Sequence, residues 1–181
     1  MMEEITLVTS NKYKTQEISE IAKPYNIKII GHDCKIEELQ TDNRFNLIKN
    51  KVLKAFEEIK IPVIVDHASL EIDSLNGMPG PLTQLFWDRL KGDLCNISMT
   101  LGMPTAKAIC TIGYCDGKMI HTEEAQVTGK ISSSPKGSRK FQWDTIFIPD
   151  GQTKTYGEMS VAEKNLISQR QKAFKKLFSS I

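Results

Sequence analysis

Glu4-Ile5-Thr6-Leu7-Val8-Thr9-Ser10-Asn11-Lys12-Tyr13-Lys14 is a β-rich run that breaks into a short polar loop. Its first half is dense in β-branched residues and is predicted as a strand, Glu4 to Thr9. A helix is expected from Thr15 to Ala22, with Ile18, Ile21 and Ala22 on one face and Pro24 ending it. A polar loop between a strand and a helix points backbone N–H groups and the positive helix end outward, which suits a phosphate. Thr9 and Asn11 can add hydrogen bonds there, and Lys14 a compact cation. The G-x-x-x-x-G-K-[ST] pattern is absent, so this is not a P-loop. Read alone, the loop is equally well explained as a solvated turn with two lysines.

Outward from it, Ile27–Ile30 reads as a second strand. Asn46–Ile59 reads as an amphipathic helix with Ile48, Val52, Ala55, Phe56 and Ile59 at helical spacing. Pro62 resets the chain, and the apolar run Val63-Ile64-Val65 leads into Asp66-His67. Leu70-Glu71-Ile72 alternates like a strand, and Asn76-Gly77 and Pro79-Gly80-Pro81 are turn signals. Short helices are expected over Leu82–Leu90 and Asp93–Leu101. Strands are expected over Ala108–Tyr114, Lys118–Glu123, Gln126–Ile131 and Thr145–Ile148, and a capping box at Ser160-Val161-Ala162-Glu163 opens a last helix to about Phe178. Helices interleaved with strands early and hairpins later indicate an α/β protein with a mixed sheet.

The 181 residues suit a single domain, residues 1–181, with room for two lobes, and 40% hydrophobic content supplies a core. A formal net charge of +2 gives no case for a nucleic-acid-binding module. Cys34, Cys95, Cys110 and Cys115 form no C-x-x-C pair, so free, mostly buried thiols in a reducing compartment are expected. The acidic start, Met1-Met2-Glu3-Glu4, does not resemble a signal peptide, and no apolar run reaches the roughly 18 residues of a membrane span. A cytoplasmic protein with no membrane association is the expectation.

Four later stretches give the first loop its meaning: Leu75-Asn76-Gly77-Met78-Pro79-Gly80-Pro81, Phe141 to Gly151, Thr155-Tyr156-Gly157-Glu158-Met159, and Glu163-Lys164-Asn165-Leu166-Ile167-Ser168-Gln169-Arg170. In order and spacing, from about Leu7 to Leu177, they resemble the inosine/xanthosine triphosphate pyrophosphatases. That family carries T-G-N-x-x-K, then L-N-G-x-P-G, then F-G-[WY]-D-x-x-F-x-P-x-G, then A-E-M and E-K-x-x-x-S-H-R. The resemblance implies an elongated, two-lobed α/β fold with a nucleotide cleft between the lobes, usually dimeric. It implies Mg²⁺-dependent hydrolysis of ITP, dITP or XTP to the monophosphate and pyrophosphate. By the same resemblance Thr9, Asn11, Lys14 and Lys164 would serve the triphosphate, Phe141 would stack on the purine, and Trp143 and Asp144 would shape the sugar and base pocket. Ser168 and Arg170 would read the 6-oxo edge, where a donor-only guanidinium favours a keto oxygen over an amino group. Without the resemblance, Phe141 and Trp143 read as core aromatics and Lys164 as part of a solvated basic face.

The chain departs from that pattern where the chemistry lies. The family strand ends Val-[DE]-D-[ST]-G-[LF], and its second acid binds Mg²⁺. Here it reads Val65-Asp66-His67-Ala68-Ser69-Leu70, so Asp66 keeps the first acidic position and His67 replaces the second. Imidazole is a poor ligand for Mg²⁺, which prefers hard oxygen, although histidine can act as a general base. Glu38 matches the other metal-binding glutamate, so a weakened Mg²⁺ site is expected. Gln84 stands for a phosphate-binding lysine, Gln142 for the glycine between the aromatics, and Gln169 for the histidine of S-H-R.

Loss concentrated on chemistry and retention on binding favour a degenerate sensor that holds a deaminated purine nucleoside triphosphate and signals to a partner. Degenerate relatives of this kind occur in bacterial antiphage defence, Kongming-type systems among them, beside a sirtuin-like NAD-consuming effector. A homodimer or such a hetero-complex is therefore the expected assembly. The alternative is an active Mg²⁺-dependent pyrophosphohydrolase that cleans the nucleotide pool.

Overall fold

The computed structural model of the chain describes residues 3–181. Met1 and Met2, part of the acidic start read above, lie outside the described residues. The elements run β1 (Glu3–Val8), α1 (Lys12–Ala22), β2 (Ile27–His32), α2 (Arg44–Ile59), β3 (Val63–Ile72), β4 (Pro79–Gly80), α3 (Thr83–Leu90), α4 (Asp93–Thr100), β5 (Thr105–Cys115), β6 (Ile120–Ile131), β7 (Phe147–Pro149), α5 (Val161–Ile167) and α6 (Gln169–Phe178). The strand order is β2-β1-β3-β5-β6-β7, with β4 off that path against β3. β1 pairs in parallel with β2 and β3, whereas β3–β4 and β6–β7 are antiparallel. The α/β class with a mixed sheet and flanking helices is thus as the sequence indicates.

The chain forms two compact units from interleaved pieces. The first takes the chain up to His67, then Cys110–Ala125 and Arg170–Ile181; the second takes Ala68–Ile109 and Gln126–Gln169. In the first unit, one core gathers Ile5, Leu7, Ile18, Ile64, Ile112 and Phe174, and another gathers Val8, Ile48, Val52, Ala55 and Val63. The stripes read from helix periodicity on α1 and α2 are the faces buried here. In the second unit Leu70, Ile72, Leu94, Trp143, Ile146, Phe147 and Tyr156 form the core.

Several boundaries differ from the sequence expectation for physical reasons. β3 is one strand of 10 residues rather than two short runs, and it passes through Asp66-His67 without a break. Two polar residues are tolerated in a strand buried on both faces because each has side chains of opposite charge or hydrogen-bonding capacity beside it, described below. Lys118–Glu123 and Gln126–Ile131 likewise merge into β6. Thr145 ends a 3₁₀ segment instead of starting a strand, because Ile146 N–H closes onto the Trp143 carbonyl at 3.0 Å. The last helix is two helices: Ser168, at φ −69° and ψ 153°, is extended backbone and separates α5 from α6. The capping box is present, with Glu163 N–H donating to Ser160 Oγ and Ser160 N–H to Glu163 Oε2. All four cysteines are free thiols, three of them buried, and burial pushes Cys110 up to about 12. Among the described residues, no helix is long and apolar enough to cross a membrane.

Candidate functional site

The loop after β1 is built by its own side chains. Thr9 Oγ1 accepts from Asn11 N–H at 3.2 Å, and Asn11 Oδ1 accepts from Tyr13 N–H at 3.0 Å, making Asn11 the N-cap of α1. An N-cap satisfies one of the free amides at a helix start. This moves the helix start three residues earlier than periodicity alone suggests and gives Thr9 and Asn11 a structural task. Lys14, on the first turn, reaches the interior of β3, where its Nζ donates to Asp66 Oδ1 at 3.0 Å.

Asp66 is 1% exposed and lies between two cations. Arg170, from α6, donates through Nε and Nη2 to Asp66 Oδ2 at 3.3 Å each, and through Nη1 to Glu17 Oε2 at 2.8 Å. Burial alone would raise the Asp66 carboxyl, but Lys14, Arg170 and Lys51 overturn that and hold it well below the usual carboxylate range. Burial lowers Lys14 from its ordinary value, with Asp66 opposing the shift.

The second half of this cluster is Glu38 with Lys51 and His67. Lys51 Nζ donates to Glu38 Oε1 at 2.6 Å and to the Asp66 carbonyl oxygen at 2.9 Å. His67 Nδ1 lies 3.4 Å from Glu38 Oε2, and its buried Nε2 has no hydrogen-bond partner. Burial works to raise the Glu38 carboxyl, yet the contacts with His67 and Lys51 keep it below the ordinary range. Glu17 and Lys51 are members that sequence reasoning missed. Each is a charged residue set on an apolar helix face, Glu17 beside Ile18 and Lys51 between Ile48 and Val52, which is the signal that exposes them.

The second unit holds the remaining predicted residues. Lys164 and Asp144 are both buried, and Lys164 Nζ donates to Asp144 Oδ2. The same ammonium sits 4.2 Å from the Phe141 ring centroid and 5.4 Å from that of Tyr156, a cation–π arrangement. Lys164 is therefore not part of a solvated face. Trp143 packs edge-on against Phe147 inside the core, at 6.2 Å and 89°, so its ring fixes the segment that carries Phe141 and Asp144. Ser168 is fully buried, and Gln169 is buried with Oε1 unpartnered. Gln142 has φ 25° and ψ −103°, a backbone state that favours glycine, so the chain keeps a glycine conformation at the position where it carries glutamine. Gly137, at φ 85°, meets Gly157 so closely that a Cβ there would lie 2.1 Å from the Gly157 carbonyl carbon, which anchors the start of this segment. Gln84 is exposed and bonded to Asp88 one helical turn on.

Divalent magnesium needs several hard oxygen donors with lone pairs free to converge and negative charge to offset its dehydration. Here both oxygens of Asp66 face cations, Glu38 faces Lys51 and His67, and the position of the further acid carries imidazole. Among the described residues, no three His, Cys, Asp or Glu side chains form a group that could hold a metal ion. The donor set does not fit Mg²⁺. What it can do is present Lys14 and Lys51, both partly accessible, to an anion, with His67 Nε2 buried and without a hydrogen-bond partner beside them.

Comparison with known proteins places this geometry. The Ham1 family model matches residues 5–180. Inosine triphosphate pyrophosphatase 2 of Trypanosoma cruzi is 36% identical over 175 residues, covering 93% of this chain and 87% of that protein. The dITP/XTP pyrophosphatase of Aquifex aeolicus is 32% identical over 191 residues, covering 96% and 94%. Among solved structures, a HAM1 protein from Coxiella burnetii superposes with a TM-score of 0.83 at 24% identity, covering 99% of this chain and 98% of that one, and so shares the fold. The chain belongs to the Ham1 family.

Proposed function

We propose that this protein recognises a deaminated purine nucleoside triphosphate, ITP, dITP or XTP, and hydrolyses it slowly to the monophosphate and pyrophosphate. Support for the substrate class and reaction comes from relatives whose names carry both. The observation that carries the slow hydrolysis is His67. In the tautomer whose Nδ1 proton faces Glu38, Nε2 would hold the lone pair that a general base needs to take a proton from an attacking water. Lys14 and Lys51, the partly accessible cations of the first unit, would offset charge on the phosphates, with Arg170 holding Asp66 in place beside them.

A second reading is favoured by one observation, the internal pairing of both surviving carboxylates. Under it the protein holds the nucleotide without turnover and signals to an effector, such as a sirtuin-like NAD-consuming protein in antiphage defence, as a homodimer or a hetero-complex. Pyrophosphate release from ITP, dITP and XTP with Mg²⁺, followed beside calorimetric binding of dITP, separates the two. Turnover below about 1 s⁻¹ that is lost in His67→Ala supports hydrolysis through His67. Binding with no turnover supports the second reading, and absence of binding removes both.

A further inference from the structure

We infer that this protein takes its nucleoside triphosphate without a divalent cation, so that the free tetra-anionic triphosphate rather than its magnesium complex is the ligand. The inference rests on the nucleotide recognition proposed above and on the first unit alone. There Lys14, Lys51 and Arg170 face the carboxylates of Glu17, Glu38 and Asp66, three cations against three anions. His67, buried against Glu38, adds no negative charge in either protonation state. An aspartate at that position would have left the cluster with an excess carboxylate, repelling a polyphosphate unless a cation bridged the two. With histidine there, that reason for a bridging ion is gone.

The donor geometry leads to the same conclusion. A bridging Mg²⁺ must take oxygens from the protein and from the phosphates together. Asp66 Oδ1 is held by Lys14, Asp66 Oδ2 by Arg170 and Glu38 Oε1 by Lys51, at 3.0, 3.3 and 2.6 Å. Recruiting any of them would set Mg²⁺ in competition with Lys14, Lys51 or Arg170 for a carboxylate oxygen that already carries a charge-assisted hydrogen bond. A phosphate arriving at Lys14 and Lys51, both partly accessible at 17% and 13%, adds an anion to ammoniums that have further donors to give. The chain therefore gains anion contacts directly and has little to gain from the metal.

Calorimetric titration of the full chain with dITP, in excess EDTA and in excess Mg²⁺, tests this. Affinity in EDTA should equal or exceed that in Mg²⁺, the ratio staying within about threefold or favouring EDTA. In His67→Asp the order should reverse, with Mg²⁺ improving dITP affinity by about tenfold or more. A wild-type titration with Mn²⁺ alone, read by the free-ion paramagnetic resonance signal, should show no uptake by the protein, and this needs no variant to fold. Binding of dITP to the wild type that vanishes in EDTA, or stoichiometric Mn²⁺ uptake, overturns the inference while leaving recognition intact. No dITP binding under either condition overturns the recognition reading and this inference with it.

Discussion

Lys14 Nζ and Asp66 Oδ1 are 3.0 Å apart although 52 positions separate them in sequence, and the pair ties the first turn of α1 to the interior of β3. Arg170 reaches the other oxygen of the same carboxylate from 104 positions away. Asp66 is thus the point at which three distant segments meet, and Asp66→Asn would leave Lys14 without its charged partner. The expected cost is about 3–5 kcal/mol of stability, read from urea unfolding, since removing one member of a buried ion pair strands the other. A change under about 1 kcal/mol would mean that water replaces the carboxylate at no loss.

Stability against pH follows from the same group. Asp66 and Glu38 are held below the ordinary carboxylate range, so their contribution is fully present above the unfolded value, about pH 4, and is lost as pH falls further toward their folded values. Wild type should therefore lose stability steeply below about pH 4, and its advantage over Asp66→Asn should narrow in that range. A constant gap between the two proteins down to acid unfolding would contradict the account.

Lys164 gives a contrast within one short stretch of chain. Lys164→Ala removes the buried ion pair with Asp144 and the cation from the Phe141 ring, so a loss of about 3 kcal/mol or more is expected. Lys172→Ala, at an exposed position of α6, should stay within about 0.5 kcal/mol. Equal effects for both lysines would return Lys164 to the status of a surface charge.

Gln142 is strained at φ 25°, and Gln142→Gly should relieve that strain. The relief, about 1–3 kcal/mol, exceeds the extra chain entropy of glycine, about 1 kcal/mol or less, so net stabilisation near 1 kcal/mol is expected in urea unfolding. Gln142→Ala keeps a Cβ in the same conformation and should give no such gain.

Much of this was legible in the sequence, and for identifiable reasons. The strand, loop and helix at Glu4–Ala22 and the stripes on α1 and α2 are local patterns, and local patterns need no knowledge of the fold. The replacement at His67 stood out because its neighbours keep the family's order. The ion-pair cluster did not, because Asp66, Arg170 and Glu17 meet only once the chain has folded. Trp143 serves the core of the second unit, and no spacing rule distinguishes that from a place in a base pocket. The break at Ser168 was hidden by helix-forming residues on both sides.

The central claim is recognition of a deaminated purine nucleoside triphosphate, and the most direct measurement is paired calorimetry with dITP and dATP on the wild-type chain. The account predicts saturable dITP binding at least about tenfold tighter than dATP, a difference of roughly 1.4 kcal/mol. Equal affinity for the two nucleotides, or no heat with dITP, would contradict it.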